Sequence, residues 1–227
     1  MIRTLRNIFL GAMLAPAAIA QPARGFDDSA SNLMAVLRES GGTNKPDESL
    51  VPIGKGKVTL ADGKVVEVNF AWFDYIGDMH VRFVFDTPTT LLNASVDDLK
   101  RLSLTPEAAL ELAVKNIRRV YGEPHSEPWN DFTQVRGKSS DLSSSYFLDK
   151  AFWTKLLAQH PEGIVALVAK RGGLLYAPAS DTKAVNGMKR DVAYLYQSSE
   201  RQRISSALYL FKDGRWTVFQ APAHGQK

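Results

Sequence analysis

The chain of 227 residues contains no cysteine. That absence excludes disulfides, thiolate metal sites, iron–sulfur clusters and a cysteine nucleophile. It also excludes a lipid anchor attached at a cleavage-site cysteine. Disulfides matter chiefly for small secreted domains, and a chain of this length can bury a core without them. Charge of one sign is also scarce. The formal net charge is +4, with 24 acidic residues set among 28 basic ones. Such interspersion gives no electrostatic footprint for nucleic acid. Beyond residue 20 no apolar run is long enough to cross a bilayer, which takes about 20 residues.

The common catalytic signatures are missing too. The four histidines, His80, His125, His160 and His224, show no i, i+4 pair and no HExxH spacing. There is no GxSxG elbow, GxxxxGK[ST] loop or strand-borne GxGxxG. Gly54-Lys55-Gly56-Lys57 looks phosphate-like but precedes a strand, so no helix N-terminus is there to receive the anion. Ser143-Ser144-Ser145 reads as a turn or cap. The sequence therefore names no catalytic residue, no metal ligand and no cofactor.

What is present begins at the N-terminus. Arg3 and Arg6 precede an apolar run from Ile8 to Ala20 that ends Ala18-Ile19-Ala20. A basic start, a short apolar middle and an A-x-A end describe a secretory signal peptide over residues 1–20. The expected mature protein starts at Gln21, loses two positive charges, and works in the periplasm or outside the cell.

Local patterns then predict the elements. Residues 29–38 read as a short helix ending at Gly41-Gly42, and residues 44–48 as a loop. From Val58 the apolar period is two, with turns at Asp62-Gly63 and Gly77-Asp78, which predicts a three-stranded antiparallel meander to Phe85. Ser95 to Asp98 has capping-box spacing and opens a short helix. Thr105-Pro106-Glu107 opens a longer one, with Ala109, Leu112, Ala113, Asn116, Ile117 and Val120 on one face and Gly122 at its close. Strands are expected over residues 132–135 and 142–147. Asp149 caps a helix carrying Trp153. Ile164 to Ala169 reads as a strand covered on both faces. After a turn at Gly172-Gly173 and a second strand, Asp181 opens the last helix, and a hairpin turning at Asp213-Gly214 ends the chain. The sum is an α+β fold with largely antiparallel sheets and about five helices. The expected organisation is an N-terminal half over 21–122, a connecting segment over 123–140 and a C-terminal half over 141–227, or one continuous domain.

Four stretches carry a resemblance: residues 104–117, 147–153, 161–176 and 204–216. Together they resemble the bacterial YtpQ-like family, a domain of unknown function. The family pattern has an Ala-x-x-Asn-Leu helix, a Leu-Leu-x-x-x-Phe-Trp segment, a Val-Ala-x-Pro-x-Arg strand and a Ser-x-x-Leu…Gly-x-Trp hairpin. The match lies mainly in residues 102–122 and 146–216. Lys170 departs from it, because the family carries a proline close to the arginine. The resemblance implies a fold and supplies no mechanism.

Several residues stand out as candidates for binding. Trp72, Asp74, Tyr75, Asp78 and His80 make a polar and aromatic knot around the Gly77 turn. Asn116 lies on an otherwise apolar helix face, where it must find partners or cost about 1–3 kcal/mol. Arg171 leaves the most apolar strand and could receive a carboxylate or phosphate. The structural readings are a turn, a helix tie and a strand exit. The leading expectation is a non-enzymatic exported protein that binds another macromolecule of the cell envelope, an immunity or inhibitor protein being one form. One rival is a hydrolase assembled from His125, Asp131, His160 or Arg171. Another is an envelope accessory module for a small ligand. An apolar patch near Trp72, Phe73 and Tyr75 would favour the binder.

Overall fold

A computed structural model describes residues 25–60 and 62–223. The expected signal peptide lies outside these residues. Among them are two antiparallel sheets and a separate hairpin, so the α+β class with antiparallel sheets is observed. The first sheet has strand order β1 (Leu33–Glu39), β6 (Met79–Asp86), β5 (Trp72–Ile76), β2 (Val51–Pro52), with β7 (Leu91–Asn93) also on β6. The second has order β13 (Arg215–Gln220), β12 (Leu208–Lys212), β10 (Ile164–Lys170), β11 (Gly173–Pro178), β9 (Phe132–Arg136), β8 (His125–Trp129). β3 (Gly56–Thr59) and β4 (Val65–Val68) pair only with each other.

The second sheet shows why its central strand is so apolar. Ile164, Ala166 and Val168 of β10 join the main core, while Val165, Leu167 and Ala169 pack with Val185, Met188 and Val192 of α4 (Thr182–Gln197). Side chains alternate across a strand, so a strand covered on both sides must be apolar at every position. The main core lies between the sheets. Trp153 of α3 (Lys150–Leu157), Phe147, Tyr209 and Trp216 meet there, with Phe147 stacked on Trp216 at 4.1 Å. Indole nitrogens of Trp153 and Trp216 donate to the carbonyls of Tyr146 and Phe147.

Four expectations are corrected. Residues 29–38 form a one-turn 3-10 helix (Ala30–Asn32) and then β1. Leu33 to Leu37 are all buried, with α2 (Pro106–Tyr121) against the strand, and so short an apolar run carries no period that separates strand from helix. The meander is two hairpins: β3–β4 stands alone, and β5–β6 belongs to the first sheet. Residues 142–147 lie in a buried 3-10 segment, Ser140–Leu148, rather than a strand. Residues 123–140 hold the β8–β9 hairpin, which completes the second sheet instead of merely connecting two halves.

The caps follow the sequence. Ser95 and Asp98 form the full capping box of α1 (Val96–Arg101), and Thr105, Asp149 and Asp181 cap α2, α3 and α4. On α2, Ala109, Ala113, Asn116 and Ile117 are buried, whereas Val120 is exposed.

A candidate anion-binding face

The residues singled out in the sequence divide into two groups. Asp78, Tyr75 and Asn116 are structural joints. Asp78 is buried and accepts from Ser205 Oγ, from the Ser206 backbone N–H at 3.1 Å, from Ser206 Oγ at 3.3 Å and from the Tyr209 hydroxyl at 3.1 Å. It ties the β5–β6 turn to the strand entering β12. Burial pushes its carboxyl above the usual range, against those hydrogen bonds. Gly77 makes this approach possible. Its φ is +57°, and a Cβ there would lie 2.5 Å from the Tyr209 hydroxyl. Tyr75 is buried and donates to Glu48 at 2.9 Å. Asn116 donates to the carbonyls of Ala30 and Leu33, both at 2.9 Å, holding the chain's entry into β1 against α2.

The expected apolar patch does not form as drawn: two of its three residues are buried, and the exposed apolar side chains beside β5 are Val51 and Ile53. Phe73 and Tyr75 are buried, Phe73 edge-on to Phe83 at 5.8 Å. Trp72 is half-buried and engaged: Phe70 stacks on it at 4.5 Å, and its indole donates to Asn93 at 3.3 Å.

Trp72, Asp74, His80 and Arg171 belong to one face instead. Cross-strand register sets Arg38 beside His80, Asp74 beside His80, and Val36 and Trp72 beside Arg82. On β6 the alternation sends Val81, Phe83 and Phe85 one way and His80 and Arg82 the other. Arg82 is held at two points. Its guanidinium carbon sits 3.9 Å over the Trp72 ring, and its Nε–H donates to His80 Nε2 at 2.7 Å. Ser40 Oγ donates to Asp74 at 2.6 Å and lies 3.1 Å from His80 Nδ1. The network assigns the proton of a neutral His80 to Nδ1, because Nε2 accepts from Arg82. Burial and the Arg82 charge lower the His80 pKa to about 4. This is no nucleophile triad: Ser40 gives its proton to a carboxylate, and the far nitrogen of the imidazole is committed to an arginine.

Two more guanidiniums approach. Arg38, half-buried, makes one side-chain bond, to the adjacent Leu37 carbonyl at 2.7 Å. Arg171, exposed at the β10–β11 turn, makes none. Among the described residues, Arg38, Arg82 and Arg171 form no ion pair with any carboxylate. Burial first, then the charges of Arg171 and Arg82, depress the Arg38 pKa to about 10. Arg82 is shifted the same way by burial and Arg171. Arg38 and Arg171 line a cleft of about 460 Å³ that also holds Thr90, Ser139, Gln202, Asp86 and Asp141. Asp86 accepts from the Tyr121 hydroxyl.

The residues of the hydrolase alternative stay apart. His125 pairs with Glu127, Asp131 with Lys183, and the cleft holding Arg171 contains neither them nor His160. Arg38, Arg82 and Ser40 were missed in the sequence. The one available signal was an arginine at an alternating position inside an apolar strand, Val81-Arg82-Phe83.

No family model, no curated protein and no solved structure matches the chain. Function is therefore argued from the chemistry of this face.

Proposed function

We propose that the protein is a non-enzymatic binding protein that docks on another macromolecule of the cell envelope through an anionic group the partner presents. One observation carries this reading: among the described residues three guanidiniums share one face and none of them forms an ion pair with a carboxylate. Such an arrangement costs stability in the free protein and is offset when an anion arrives. The leader pattern over residues 1–20 supports an envelope location. The engagement of both His80 nitrogens supports binding over acid–base chemistry.

The test is a pull-down from envelope extract with full-length protein, tagged at the C-terminus and processed by its host. The wild type and an Arg38→Gln/Arg171→Gln variant are compared. The expected result is one stoichiometric partner retained by the wild type, released at roughly 0.5 M salt where screening is short-ranged, and lost by the variant. Equal retention by both proteins, or none by the wild type, overturns the reading.

A further inference from the structure

We infer that Arg38, Arg82 and Arg171 form an oxoanion-binding face, with Arg82 beside the cleft that Arg38 and Arg171 line, whose recognised group is a phosphate-type dianion anchored by the two terminal nitrogens of Arg82. The inference rests on reading this face as a binding surface, and it names the chemical group that surface takes.

The anchor follows from how Arg82 is held. Trp72 fixes the guanidinium plane, and His80 takes the Nε–H. The terminal nitrogens then have no partner among the described residues, and the fork is oriented before any ligand arrives. A guanidinium pre-set in this way loses little freedom when it grips two oxygens. His80 can play this part only while neutral, since an imidazolium has no lone pair for the Arg82 donor.

Phosphate fits better than carboxylate for two reasons. Arg38 and Arg82 rise from one face of the paired strands β1 and β6, and Arg171 comes from the β10–β11 turn of the other sheet, so the cations come from two sides. A tetrahedral group offers oxygens along diverging directions, whereas a planar carboxylate is matched by one fork. A dianion also offsets more of the clustered charge than a monoanion does. The adjoining cleft, lined by Arg38 and Arg171, adds Thr90, Ser139 and Gln202 as neutral hydrogen-bonding residues. Asp86 and Asp141 in the same cleft set the limit. A continuous polyanion such as nucleic acid would run against these carboxylates, while a single terminal phosphate would not.

Calorimetric titration of the full-length processed protein tests this at pH 7.5 and low salt, with inorganic phosphate, glycerol phosphate and acetate as probes. The expected result is one-to-one phosphate binding at least about tenfold tighter than acetate, with a matching rise in Tm. Arg82→Lys keeps the charge, removes the fork, and is expected to weaken phosphate about tenfold. Arg171→Gln alters an exposed side chain and is expected to weaken phosphate while raising the Tm of the free protein. A merely structural arginine would not give that pair of effects. The control Arg201→Gln leaves binding unchanged. Tighter binding of the ester than of free phosphate would identify a group carried on a larger molecule, and the reverse order free phosphate; either supports the binding face. Absent phosphate binding, equal phosphate and acetate affinity, or affinity untouched by both Arg82→Lys and Arg171→Gln overturns it. Capture of a partner that depends on these arginines, together with no phosphate binding, would overturn the phosphate assignment alone and leave the docking reading intact.

Discussion

Arg118 and Arg82 both lie among packed side chains, and their surroundings are opposite. Arg118 on α2 meets Asp149 fork to fork, with two bonds of 2.6 Å, and Asp149 in turn caps α3 at Phe152. The same economy holds at Asp78, where four donors converge on one buried carboxylate. Around Arg82 the pattern inverts: cation faces cation, and the nearest acceptor is a neutral imidazole. A protein that satisfies its buried charges at two joints can do so at a third. The exception on the first sheet is the observation on which the proposed docking reading rests.

Breaking the satisfied side should produce the largest effects. Asp149→Ala leaves Arg118 only its more exposed ion pair to Glu123 at 3.0 Å and uncaps α3. Breaking a buried pair costs about 3–5 kcal/mol, and the partial exposure of Arg118 trims this toward the lower end. Chemical denaturation should show a loss of about 3–4 kcal/mol; a loss under about 1 kcal/mol would mean the pair contributes little. Asp78→Ala leaves the Tyr209 hydroxyl and the Ser206 amide without their acceptor. A loss of about 2–3 kcal/mol is expected, with Tyr209 fluorescence reporting local loosening.

Acid probes the open face. His80 is held neutral in the fold, its pKa falling from 6.5 to about 4. Its contribution is present in full above pH 6.5 and is lost as the pH falls toward 4, because the unfolded chain takes up the proton first. The shift amounts to as much as about 3 kcal/mol. Asp78 opposes it. Its raised pKa gives a contribution that is full below 3.8 and is lost as the pH rises through the folded value. His80 alone predicts a fall of about 2 kcal/mol between pH 7 and 4.5, and Asp78 reduces it. His80→Asn should flatten the profile, and an unchanged slope would place the acid sensitivity elsewhere.

The smallest effect has the opposite sign. Arg171→Gln relieves repulsion on Arg38 and Arg82 and should raise Tm by about 1–3 °C. That gain should shrink at roughly 1 M salt. A lowered Tm would show that Arg171 stabilises the free protein, and the comparison with Arg118 would fail.

Much of the fold could be read locally. Capping residues sat where helices begin, at Ser95, Thr105, Asp149 and Asp181, because a cap is decided within four residues. The Asp62-Gly63, Gly77-Asp78 and Asp213-Gly214 turns lay between strands that pair across them. β1 could not be read this way, since five apolar residues in a row fit a buried strand or a buried helix, and β6 decides between them. The serine-rich stretch before Asp149 was misread as a strand because its burial comes from layers on either side.

The site was legible only in part. His80, Trp72 and Asp74 were visible as a cluster because they share one hairpin. Arg171 was visible as a charge at a strand exit. That these belong together, with Arg38 more than 40 residues before Arg82 and Arg171 almost 90 after it, depends on β1 pairing with β6 and on the second sheet packing against the first. The sequence by itself determined the caps, the turns and the alternating strands, since each is settled by interactions among near neighbours. Only the tertiary structure decided which charges were neutralised and which were left facing one another, because that balance is set by contacts between segments far apart in the chain.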